Sequence, residues 1–235
     1  MWLGPRAVPG CGAQLTAPIW HPSPNYGPRR DGLRPELVVI HYTAMKSANA
    51  ALYRLCDPTS EVSAHYLIGA DGRLWHLVSE EMRAWHAGAG SWAGRADVNS
   101  RSIGIELDNR GTHPFSDPQM RRLETLLSGV MTRWAIPPEG VIGHSDMAPD
   151  RKGDPGPRFD WARLARQGLA AEPVARPRTG DLPAFKALAV AVGYPGDLDD
   201  AALLHAVRLR FRPWAQGPLT QEDRAVLAGL LSSDI

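Results

Sequence analysis

ELVVIHYT, residues 36–43, carries the reading of the fold. Val38, Val39 and Ile40 stand side by side with no polar residue between them, the signature of a strand buried on both faces. Such a strand needs a layer of structure on each side, so a sheet flanked by helices follows from this one run. The run delivers His41 at its end, an imidazole placed where a rigid element stops.

Three further stretches extend the sheet. AHYLIGADGRLWHLV (64–78) is two strand-like runs around Ala70-Asp71-Gly72, and Asp-Gly between alternating apolar residues marks a hairpin. SIGIELDN (102–109) adds a strand and GVIGHS (140–145) a shorter one. Between them a helix is predicted from Pro118 to about Ala135. Asp117 is its expected cap, and Met120, Leu123, Leu127, Val130, Met131 and Trp134 recur on one face. Ala48–Leu55 and Trp161–Leu169 are two more helix candidates, the second capped by Asp160. The expected class is α/β, a central mixed β-sheet flanked by helices.

Residues 12 to 35 are rich in Pro, Gly and Asn and read as an irregular lead-in. Near residue 171 the composition shifts to AEPVARPRTGDLP, a linker signal. Three short amphipathic patterns follow, over Pro183–Val192, Asp199–Phe211 and Thr220–Leu231. The expected organisation is therefore an irregular segment over 1–19, a main domain over 20–171, a linker over 172–182 and a small three-helix domain over 183–235. A unit that short is marginal alone and is expected to dock on the main domain.

A formal net charge of +1 gives no electrostatic footprint for nucleic acid or anionic membrane. No apolar run is long enough to span a bilayer. Gly4, Pro5, Arg6 and Pro9 interrupt anything that could serve as a signal peptide's apolar segment, so a cytoplasmic location is expected, with the periplasm as the alternative. Cys11 and Cys56 allow at most one disulfide and suit a reducing compartment. A monomer is the expected state.

The chemistry gathers in GHSDMAPDRKGDPG (143–156), a loop stiffened by Pro and Gly. His41, His144 and Asp154 are two imidazoles and a carboxylate, a set that can hold one metal ion with a coordination position left open. The alternative is that each histidine hydrogen-bonds within the core. Glu106 is a carboxylate inside an apolar strand, where an unpaired charge is costly. It is either a general base or the partner of an arginine such as Arg101 or Arg110. Lys152, two residues before Asp154, is a candidate to steady a developing oxyanion, against the alternative of a solvated loop lysine.

Taken together, VVIHYTA (38–44), SAHYLIGADG (63–72), RAWHAGAGSWAG (83–94), SIGIELDN and GHSDMAPDRKGDPGPRFDW (143–161) resemble the zinc-dependent N-acetylmuramoyl-L-alanine amidases of type 2. That family shares its fold with the peptidoglycan recognition proteins, and the likeness is strongest to its AmpD-like and AmiD-like branch. Five motifs in the right order cover roughly residues 20 to 170. The resemblance implies a Zn2+ ion on His41, His144 and Asp154, Glu106 as base and Lys152 as electrostatic stabiliser. In other branches a catalytic tyrosine stands where this chain has Ala64, so the glutamate-using variant fits.

The same resemblance makes Trp85, His86 and Asn99 candidate substrate contacts. AVGYPGD (191–197) and RFRPW (210–214) are similar to the small peptidoglycan-binding domain attached to AmiD-like enzymes. The implied reaction is hydrolysis of the amide between N-acetylmuramic acid and L-alanine in muropeptides or peptidoglycan, 1,6-anhydro forms included, in cell-wall recycling or turnover. Two alternatives remain open: a non-catalytic peptidoglycan-binding receptor, and a zinc peptidase cutting within the stem peptide.

Overall fold

A computed structural model describes residues 16–173 and 182–231. In chain order its elements begin with β1 (Ile19–Trp20), β2 (Tyr26–Pro28), β3 (Leu37–Tyr42), α1 (Ala48–Cys56), β4 (Tyr66–Ile68) and β5 (Leu74–His76). They continue with β6 (Met82–Ala84), α2 (Val98–Arg101), β7 (Ser102–Leu107), α3 (Asp117–Trp134), β8 (Val141–Gly143) and α4 (His144–Met147). Last come α5 (Trp161–Ala165), α6 (Phe185–Val192), α7 (Asp200–Phe211) and α8 (Gln221–Leu230). Cys11, most of the segment 1–19 and most of the linker 172–182 lie outside the described residues, while Cys56 is a free thiol.

The main sheet has the strand order β1-β5-β4-β7-β3-β8. It is mixed: β3 pairs parallel with both β7 and β8, and β4 and β5 form the antiparallel hairpin turned at Asp71-Gly72. Gly72 has φ +84, which the turn requires and which an L side chain rarely adopts. The unbroken run of β3 has a direct cause. Val38 and Ile40 face α3 and pack with Ile103, Ile105, Leu123 and Leu127, while Val39 faces the other way onto Phe185, Leu188 and Leu203 of the C-terminal helices. Both faces of this strand are covered, as its sequence requires.

The three C-terminal helices thus share one continuous cluster with Leu37, Val39, Ile142 and Met147 of the sheet region. A third cluster sets Ala48, Ala51 and Leu55 of α1 against Leu67, Trp75 and Leu77. Truncating a residue such as Leu127, fully buried on α3, costs about 2–5 kcal/mol at sites of this kind. Among the described residues no helix is long and apolar enough to cross a membrane.

Some boundaries differ from expectation. The cap of α3 is Ser116, whose Oγ accepts from Gln119 N, whereas Asp117 is the first helical residue. There its charge favours the helix N-terminus and pairs with Arg121. The helix predicted over Trp161–Leu169 stops at Ala165, because Gly168 takes φ +68 and Leu169 N turns back to donate to Leu164 O. The lead-in also contains β1, at the sheet's outer edge, and β2, which pairs with β6.

Candidate metal centre

Three neighbouring parallel strands end together at one side of the sheet. β3 delivers His41, β7 delivers Glu106 directly beside it in register, and β8 runs straight into α4, whose first residue is His144. Neighbours in register project from the same face, so His41 and Glu106 look into the same space. The carboxyl ends of parallel strands are where open sheets of this type place their ligands. Asp154 arrives from the Pro/Gly loop, which is tied back by Ser145 N donating to Asp154 O at 2.9 Å.

His41 Nδ1, His144 Nδ1 and Asp154 Oδ2 converge: the two nitrogens are 2.9 Å apart, and they lie 3.0 and 3.1 Å from the carboxylate oxygen. Exposure of the three residues is 2%, 4% and 8%. Hydrogen accounting then decides what this triangle is. Ser102 Oγ donates to Val98 O at 2.6 Å, so it must accept from His86 Nε2 at 3.2 Å. His86 Nδ1 is therefore a bare acceptor, and His41 Nε2, 3.0 Å away, carries the proton it receives. His144 Nε2 faces the carbonyl of Ala87 at 2.9 Å and must also be protonated. In neutral rings both Nδ1 atoms are then bare, and Asp154 adds an anion.

Burial, followed by the neighbouring His144, pulls the His41 pKa down to about 4, so the ring is neutral near pH 7. Burial pushes Asp154 up, yet its bonds to His144 and His41 outweigh this and hold it below the usual carboxylate range. Three lone-pair donors with no hydrogen among them repel one another unless a cation joins them. These three residues fit a metal ion, and they form the one group of that kind found among the described residues.

Glu106 and Lys152 line the same open groove, of about 590 Å³, together with Tyr42, Arg54, Trp85 and Arg151. Arg101 does not pair with Glu106; it binds Glu36 at 2.6 Å instead. Glu106 Oε2 is buried with no hydrogen-bond partner, and burial together with the charge of Asp154 pushes its pKa up to about 8. A buried carboxyl with no donor, beside a candidate metal site, is a candidate proton acceptor.

Of the other sequence candidates, Trp85 and His86 both line the groove, and His86 also bonds to His41; Asn99 is buried beside them. Asn99 is 6% exposed, and its Oδ1 accepts from His86 N at 3.0 Å and Ala87 N at 2.8 Å. Sequence reasoning passed over several residues around the site. Ser102 supplies the hydroxyl behind His86, and Arg151 donates to Ala87 O at 2.7 Å. Asp146, fully buried on α4, accepts from Gly143 N, from Tyr194 Oη at 2.9 Å and from Arg210 Nη1 at 2.5 Å. Arg151 had a signal, since it adjoins Lys152 in the DRKGDPG loop; the Asp146 pair spans 64 residues and had none.

Three convergent donor atoms that could hold a metal, an unpaired carboxylate and an ammonium around one groove, on an α/β scaffold, suit a metallohydrolase. The profile of the N-acetylmuramoyl-L-alanine amidases matches residues 31–157, and the chain belongs to that family. It is 42% identical over 159 residues to the N-acetylmuramoyl-L-alanine amidase AmiD of Escherichia coli K12, a match covering 61% of this chain but 56% of AmiD. It is 38% identical over 160 residues to the 1,6-anhydro-N-acetylmuramyl-L-alanine amidase AmpD of Citrobacter freundii, covering 61% of this chain and 86% of AmpD. Among solved structures, AmiD from E. coli in complex with the substrate anhydro-N-acetylmuramic acid-L-Ala-D-gamma-Glu-L-Lys superposes with a TM-score of 0.77 at 34% identity. That match covers 87% of this chain and 92% of the other.

Proposed function

We propose that this protein is a zinc-dependent amidase that hydrolyses the bond between the lactyl group of N-acetylmuramic acid and L-alanine. Its substrates are muropeptides, 1,6-anhydro forms included, released in cell-wall recycling or turnover. The observation that carries the reading is the convergence of two bare imidazole nitrogens and a carboxylate beside the unpartnered Glu106. The substrate class rests on the molecule bound to the AmiD structure and on the name of AmpD.

His41, His144 and Asp154 would hold the ion; two imidazoles and one carboxylate with room for a further ligand suit zinc. Zinc, when bound, lowers the pKa of water from ~15.7 to about 7 and polarises a carbonyl. The chain's own residues do the rest. Glu106 takes a proton from the attacking water and returns it to the L-alanine nitrogen as the C–N bond opens, leaving a lactyl carboxylate and a free amine. Its raised pKa belongs to the metal-free chain, where Asp154 repels a second charge; a cation beside Asp154 acts in the opposite sense and favours the charged base. Lys152 presents its ammonium to the same groove, where negative charge gathers on the carbonyl oxygen. Trp85 offers an apolar wall for the sugar or peptide.

The decisive experiment incubates the zinc-loaded protein with anhydro-muropeptides and, separately, with intact sacculi, and identifies products by mass spectrometry. A stem peptide beginning with free L-alanine, lost on chelation and restored by zinc, is expected. L-alanine left on the sugar would establish a stem peptidase instead. Binding without cleavage would establish a receptor.

A further inference from the structure

The residues behind the metal-binding histidines form a connected support. Residues 86 and 87 together serve both rings: His86 Nδ1 accepts a hydrogen bond from His41 Nε2, and the Ala87 carbonyl accepts one from His144 Nε2. That dipeptide is in turn fixed by the turn at residues 98–102. Asn99 Oδ1 accepts from both backbone N–H groups, and Ser102 Oγ accepts from the far side of the His86 ring while donating to Val98 O. Asn99, Ser102 and Val98 are 6%, 0% and 0% exposed, so none of these polar atoms has water as a ready substitute. Gly104, two residues further along β7, completes the fit, because a Cβ there would collide with the His86 ring.

From this we infer that His86, Asn99 and Ser102 are positioning residues, which set the tautomer and orientation of both metal-binding histidines through the 86–87 segment. The inference rests on the metal reading above. It adds to the family resemblance, under which His86 and Asn99 would touch substrate: His86 borders the groove and also holds His41. Partners of this kind, one step removed from a metal, are worth roughly 10–100-fold in metal affinity.

The two assignments separate by measurement. Zinc affinity of the purified full chain is determined by competition with a chromophoric chelator, and kcat and KM for an anhydro-muropeptide are measured at saturating zinc. Asn99→Ala is expected to weaken zinc binding by about 10–100-fold and lower kcat, with KM within a factor of about two. Asn99→Asp, which keeps both acceptor bonds, recovers most of the affinity. Gly104→Ala, which removes no polar atom but displaces the His86 ring, is expected to weaken zinc in the same direction. Unchanged zinc affinity with a raised KM in Asn99→Ala overturns the inference in favour of substrate contact.

Should Asn99→Ala not fold, Ser102→Ala decides the question, since it deletes a single hydroxyl. Wild-type zinc affinity in that variant overturns the inference. If the wild-type chain itself binds no zinc, the metal reading fails and this inference with it. If wild type binds and all variants bind equally, only this inference fails.

Discussion

Glu80 and Glu106 are both sunk into the sheet region, and they are opposites. Glu80, 6% exposed, accepts from Tyr66 Oη at 2.7 Å, from Arg133 Nε at 3.0 Å and Nη2 at 2.5 Å, and from Trp134 Nε1 at 2.6 Å. Burial pushes its pKa up, but these donors win and it ends below the usual carboxylate value. Glu106 is also pushed up by burial, has the charge of Asp154 adding to the rise and no donor on Oε2, and reaches about 8. One carboxylate is spent on tying the hairpin region to the end of α3, whereas the other keeps an oxygen without a donor. The difference lies in the neighbours rather than in the residue type.

That contrast predicts which variants lose chemistry and which lose stability. Glu106→Gln should lower amide hydrolysis by about 10²–10⁴-fold with zinc content unchanged, as followed by steady-state kinetics and metal analysis. It should also raise the melting temperature of the metal-free protein near neutral pH. The sign follows from the shift: a carboxyl that ionises near its ordinary value when unfolded but only near about 8 when folded makes folding progressively less favourable as pH rises between those values, and the penalty persists above them. Removing its charge removes that penalty, and a destabilised Glu106→Gln protein would contradict this account. Lys152→Met should cost about 10²–10³-fold in kcat, with little change in urea unfolding.

Glu80→Ala is expected to behave in the reverse way. It should destabilise by about 2–3 kcal/mol in urea melts, since buried donors on Tyr66 and Trp134 lose their acceptor, with kcat per folded molecule near wild type. Loss of kcat without loss of stability would show that Glu80 is coupled to the site. The smallest effect concerns acid. Glu80 is depressed when folded, so its contribution is present above its ordinary pKa and is lost as pH falls through the lower folded value. Wild type should therefore lose more stability than Glu80→Gln on acidification below about pH 4.5, as equilibrium unfolding at a series of pH values would reveal.

How much of this was legible in the sequence depended on how local each signal was. β3 announced itself because two layers cover it, the hairpin because Asp71-Gly72 stands between apolar runs, and α3 because its buried face recurs with the helical period. His41, Glu106, His144, Lys152 and Asp154 stood out as polar residues at strand ends or in a stiff loop, and the structure brings all five to one groove. β1, β2 and β6 gave no signal, since two or three residues are too few to show a period. Of the residues behind the histidines, the family resemblance singled out His86 and Asn99, as substrate contacts, and nothing singled out Ser102. Asn99 and Ser102 work through backbone atoms and a ring 12 to 16 residues away, contacts that no spacing rule encodes.

Arg210 has a consequence beyond the candidate metal centre. β8 is the last strand of the sheet, and its outer edge offers the carbonyl of Val141 and the amide of Gly143. Arg210 Nη2 donates to the first at 2.9 Å, Asp146 Oδ2 accepts from the second at 2.7 Å, and the two side chains bond to each other. The Arg210 guanidinium also lies 4.2 Å from the centre of the Trp161 ring. An ion pair thus occupies the place that a seventh strand of this sheet would take. The helix that carries Arg210 thus covers this border of β8: were it removed, these two backbone groups would be open to another strand.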